Sequence, residues 1–94
     1  FIELARVALK QKLFGQAICF TRKALALEPN DIEALSIQGQ AMVELGAVAR
    51  ARQTLATLQK LCPNGCGQIA VLSTAITRGP TVAAANTPET KQPN

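Results

Sequence analysis

The sequence predicts an all-α protein made of two antiparallel helix pairs followed by a C-terminal capping helix, and three observations lead there. Apolar residues recur at spacings of three and four over most of the first 77 positions, the period of one helix face. Helix-stopping steps, Pro29-Asn30 and Pro63-Asn64, stand 34 positions apart. With three Phe and no Trp, Tyr or His, the core must come from Leu, Ile, Val and an unusually large share of Ala, side chains small enough for helices to approach closely.

The first helix is expected over residues 1 to 13, with Phe1, Leu4, Ala5, Ala8 and Leu9 on one stripe. A short break around Phe14 and Gly15 leads to a second helix ending near Leu27, with Ala17, Ala24 and Leu25 at helical spacing. So brief a break makes the two antiparallel neighbours. Pro29 fixes its own φ, disfavours helix at Glu28 and lacks an amide donor, so the second helix stops there. Asn30 is the expected cap of the third helix, with Glu33 reaching back in a capping box.

That third helix spans about Asp31 to Leu45, burying Ala34, Leu35, Ala41, Met42 and Leu45, and Gly46 supplies the left-handed residue that ends it. A fourth, about Val48 to Leu61, carries Ala51, Leu55 and Leu58. Pro63, Asn64 and Gly65 repeat the stop, and a fifth helix runs from about Gly67 to Thr77 with Ile69, Leu72, Ser73 and Ile76 at the right spacing. The organisation is therefore a helical domain over 1–78, with units at about 1–31 and 32–65 and a capping helix at 66–78. Residues 79–94 hold three prolines and almost no large apolar side chain, and read as a flexible tail.

The 94 residues, 48% apolar and 17% charged, fit one small folded domain. A net charge of +4 is spread along the chain without clustering or interleaved aromatics, the pattern of solvated helix faces rather than of a nucleic-acid surface. No apolar stretch approaches the roughly 20 residues that span a bilayer. The chain opens inside a helical pattern at Phe1 without an initiator Met, which leads us to expect a piece of something longer.

Leu4-Ala5, Ala17, Ala24 and Pro29 in the first unit, and Leu35, Gly39, Gly46, Ala51 and Pro63 in the second, resemble the tetratricopeptide repeat (TPR) family over about residues 1 to 77. Gln38 stands where that pattern has Leu, Thr21 and Leu55 where it has a large aromatic residue, and Leu58 where it has a small one. The resemblance implies a helical solenoid in which each unit buries its apolar face on a neighbour. An earlier unit missing before Phe1 would leave the first helix pair partly uncovered, and self-association or a partner is then expected there.

The resemblance also implies that the first helix of each pair lines a concave groove for a peptide or helix of another protein. Carried over by position, that groove takes Ile2, Arg6, Leu9 and Lys10 from the first unit. It takes Glu33, Ser36, Gln40, Val43 and Glu44 from the second, and Ala70 and Thr74 from the fifth helix. Positions that some members use to clamp a C-terminal carboxylate hold Ile2, Arg6, Ile37, Gly67 and Val71, of which only Arg6 is basic, so that mode is not expected.

Catalysis needs a nucleophile with a base, paired carboxylates, a metal site or a phosphate loop, and the sequence assembles none of these. Ser36 and Ser73 fall within helical patterns without a partner, and no cofactor is implied. The cysteines are the most distinctive chemistry. Cys62 and Cys66 bracket Pro-Asn-Gly, where a tight turn can bring them together as a disulfide stapling the capping helix to the last unit. The alternative is two half-buried thiols. A bond would imply an oxidising compartment, a bacterial periplasm or other extracytoplasmic space; free thiols would fit the cytoplasm. Three Cys without His do not make the usual zinc set or a c-type haem motif. Ile18, Cys19 and Phe20 are consecutive, so at least one must sit at the edge of the core.

The functional expectation is a non-catalytic protein-interaction module, a scaffold or assembly subunit that binds through its groove. The competing class is a structural appendage or accessory subunit of a larger enzyme or membrane complex, held through its outer face. Nucleic-acid binding ranks behind both.

Overall fold

The computed structural model describes residues 1–80, all of whose regular structure is helical: α1 (Ile2–Lys10), α2 (Phe14–Leu27), α3 (Ile32–Glu44), α4 (Val48–Leu61) and α5 (Gly67–Arg78). Apart from Gly79 and Pro80, the tail read from the sequence lies outside the described residues.

The corners are built alike in pairs. At the end of α1, Lys12 donates its backbone N–H to the Leu9 carbonyl at 3.1 Å and Leu13 to the Ala8 carbonyl at 2.8 Å. At the end of α3, Gly46 donates to Val43 at 3.0 Å and Ala47 to Met42 at 2.8 Å. Both are Schellman closures, which need one residue at positive φ. Gly46 provides it at 85°, whereas Lys12 is held at 64°, the one non-glycine residue with positive φ among those described. The first break therefore lies at Gln11–Leu13, and Gly15 is inside α2 rather than at its start. The Schellman bonds set this corner; the sequence signal of Gly15 pointed one turn too late.

The other two corners match as well. Asp31 N–H bonds the Glu28 carbonyl at 3.1 Å, and Gly65 N–H bonds the Cys62 carbonyl at 2.9 Å, each closing a four-residue turn with Pro-Asn at its centre. Asn30 is spent in that turn and does not cap α3. The cap is Asp31, whose carboxylate accepts from the Glu33 and Ala34 amides at 3.0 and 3.1 Å. Glu33 does not reach back; its carboxylate is engaged elsewhere.

Short corners fold α2 back on α1 and α4 back on α3, while α3 also packs against α1, α2 and α5. Two cores result. Ala5, Ala8, Phe14, Ala17, Ile37 and Ala41 join α1, α2 and α3, and Leu35, Leu58 and Leu72 join α3, α4 and α5. Ile18 and Phe20 flank the first core while Cys19 is exposed. Gly39 is the point of closest approach: a Cβ built there would stand 2.6 Å from a methyl of Leu72, which is fully buried.

Two burial expectations are corrected. Leu45 is 56% exposed because α3 ends at Glu44 and the chain is already turning. On α1, Ala5 and Ala8 are buried, but Phe1 and Leu4 are each 51% exposed because the packed side of α1 is centred on the two alanines; with Val7, 50% exposed, they form an apolar strip. The Lys23 ammonium stands over the Phe1 ring at 5.8 Å from its centre.

The departures from the repeat pattern meet one another. Thr21, fully buried, donates to the Ile18 carbonyl at 2.9 Å and accepts from the Gln38 amide at 3.4 Å. A hydroxyl in place of an aromatic ring and an amide in place of Leu thus satisfy each other between α2 and α3. Leu58 fills the space that lies over Leu35 and Leu72.

Candidate functional site

Because α1, α3 and α5 lie side by side, residues 34 apart fall in rows across them. Lys10, Glu44 and Arg78 come together in this way, as do Gln40 and Thr74. Two depressions open on this face and share Gln40 and Arg78. The larger, about 320 Å³, is walled by Ala70, Val71, Thr74 and Ala75 of α5. The smaller, about 140 Å³, lies among Leu9, Lys10, Lys12, Phe14 and Glu44.

Polar clips hold the three helices in register. The Glu33 carboxylate accepts from Gln68 of α5 at 3.0 Å through one oxygen and from Arg6 of α1 at 3.0 Å through the other. Arg6 also pairs with Glu3 at 3.6 Å. These bonds, the Gln68 amide first and the Arg6 guanidinium after it, hold the Glu33 carboxyl below its ordinary value of 4.5 against the opposing effect of burial. At the other end Arg78 donates to Glu44 at 3.3 Å; the Glu44 side chain is only 10% exposed and Arg78 half exposed. In the middle the Gln40 amide donates to Ser36 Oγ at 3.1 Å and to the Ser36 carbonyl at 3.3 Å.

Of the residues expected at the groove, Leu9, Lys10, Gln40, Glu44, Ala70 and Thr74 line the two depressions. Arg6 and Glu33 are tied together at one edge of the face. Ile2 packs toward the first core. Ser36 and Val43, 3% and 0% exposed, lie beneath the surface and cannot touch a partner; Ser36 acts through Gln40, which it positions. Both face inward because α3 is covered on nearly every side, which a one-stripe reading of a helix does not anticipate.

Sequence reasoning missed Arg78, Lys12 and Gln68, and placed Val71 only among the clamp positions it set aside. The repeat spacing itself carried the signal for Arg78, which stands 34 residues after Glu44 and continues the Ala70–Thr74 spacing. Lys12 came into view only with its left-handed backbone, which throws it to the groove end of α1.

A depression larger than either of these, about 400 Å³, lies elsewhere, between α3 and α4, among Leu35, Gln38, Met42, Arg50, Gln53, Thr54 and Thr57. It is formed within one helix pair and holds none of the residues expected at the groove.

Cys62, the residue closing α4, and Cys66, the N-cap of α5, are free thiols, both half-buried. Among the described residues no helix is long and apolar enough to cross a membrane, and no cluster of three or more His, Cys, Asp or Glu could hold a metal ion. No family model, curated protein or solved structure matches the chain.

Proposed function

We propose that the chain is a tetratricopeptide-type helical solenoid acting as a non-catalytic protein-interaction module, and that the face made by α1, α3 and α5 receives a peptide or helix of a partner protein. The observation that carries this reading is the meeting of two depressions at Gln40 and Arg78, on a face where residues spaced by the repeat period line up. The 34-residue recurrence of both kinds of corner supports the solenoid. The groove offers a half-exposed apolar wall at Val71, hydrogen-bonding groups at Gln40 and Thr74, and exposed cations at Lys10 and Lys12. Such a mixture suits a segment that presents an apolar side chain beside acidic or amide groups.

Affinity capture with immobilised protein tests it. Partners retained by the wild type should be lost with Val71→Asp/Thr74→Lys and kept with Arg50→Ala/Gln53→Ala, which alters the depression between α3 and α4 instead. Equal retention by both variants would remove the groove from consideration. A second reading, a structural subunit of a larger complex, is favoured by the strip of Phe1, Leu4 and Val7, each about half exposed on α1. A Leu4→Glu/Val7→Lys variant in the same experiment separates the two, since it should spare a groove partner and lose one held along that edge.

A further inference from the structure

Cys62 and Cys66 are joined by a corner built to keep them together. The Pro63-Asn64 turn is closed by the 2.9 Å bond from Gly65 N–H to the Cys62 carbonyl, and Gly65, at a φ of 89°, redirects the backbone into Cys66. One cysteine terminates α4 while the next starts α5, and both remain half open to solvent. From this arrangement we propose that Cys62 and Cys66 form a redox-reactive dithiol that exchanges with low-molecular-weight disulfides and closes into an intramolecular bond across the turn, with Cys66 as the attacking sulfur.

The assignment of roles follows from position. Cys66 occupies the N-cap, where the free amides of the first turn of α5 favour negative charge. Its side chain makes no fully formed cap bond, yet the Cys62 thiol and the Gln68 and Ile69 amides still favour its thiolate, lowering its pKa, while Cys62 is pushed up by the same contact. Cys62 therefore holds its proton when Cys66 has lost one. Cys19, exposed on α2, has no such neighbour and serves as an internal reference.

The chemistry balances as two exchanges. The Cys66 thiolate attacks one sulfur of oxidised glutathione, breaking its S–S bond, forming a mixed disulfide and releasing one glutathione thiolate, which takes up a proton. Cys62 then gives up its proton and attacks Cys66 Sγ, displacing the second glutathione. Two protein thiols are oxidised to one disulfide, and one glutathione disulfide is reduced to two thiols.

The reaction does not depend on what the groove binds, and peptide mass spectrometry reads it directly. Trypsin cuts after Lys60 and Arg78 and leaves both cysteines on one peptide, with Cys19 on another. After incubation of the native protein with oxidised glutathione, the 61–78 peptide should lose two hydrogens and carry no glutathione. Cys62→Ser should trap a glutathione adduct on Cys66, and iodoacetamide should modify Cys66 of the reduced wild type about tenfold faster than Cys19. A 61–78 peptide that stays reduced, or that gathers glutathione without closing, would overturn the proposal. So would Cys66 reacting no faster than Cys19 in the wild type, where no substitution can be blamed for misfolding.

Discussion

At Lys12 an ordinary side chain occupies a left-handed backbone position that its counterpart, 34 residues on, fills with Gly46. A β-carbon at positive φ is strained by roughly 1–2 kcal/mol, partly offset by the greater unfolded-state freedom of glycine. Lys12→Gly is therefore expected to stabilise the protein by about 0.5–1 kcal/mol, and Gly46→Ala to destabilise it by a similar or larger amount. Urea titrations followed by circular dichroism will measure both; a Lys12→Gly protein less stable than wild type would show that the lysine makes a compensating contact. Lys12 also illustrates what a single sequence conceals. Nothing in Lys marks a left-handed residue, so the sequence signal for the first corner falls around Phe14 and Gly15, whereas Gly46 marks the second directly. Asn30 and Asp31 are a similar case, since both residue types cap helices, and only the turn bond from Asp31 to Glu28 decides which one is free to do so.

Among the elements, α1, α3 and α5 are bound together by Glu33, which takes a donor from each neighbour. Because its folded pKa is depressed, the stabilisation is fully present above the unfolded value and is lost as pH falls through the lower folded value. Glu33→Gln should cost about 1 kcal/mol at pH 7, the scale of a part-exposed charged pair after solvent screening. That difference should shrink steadily as pH drops below the ordinary value of 4.5. Thermal melts of both proteins across pH 7 to about 3 give the comparison; a constant gap would mean that Glu33 titrates normally. The five helices were legible because period, prolines and small residues agreed on them. The clips were not legible. Arg6 and Glu33 were both assigned to the groove face, but that they would meet each other, and that Gln68 would join them, depends on the angle between helices, which apolar spacing does not encode.

The whole described molecule has two cores and one helix common to both. Leu72 lies against Gly39 in the second core, and α3 carries that contact directly to the surface that packs on α1 and α2. Leu72→Ala should therefore cost about 2–5 kcal/mol and shift a single cooperative transition, rather than release α5 alone while the rest persists. Two separated transitions in the variant would show that the cores are energetically independent. The central position of α3 has another consequence. The rod that supplies Gln40 and Glu44 to the two depressions also anchors each hydrophobic cluster, so under the proposed function a guest gripping these side chains would brace the entire scaffold against denaturation, and loosening of the scaffold would weaken that grip.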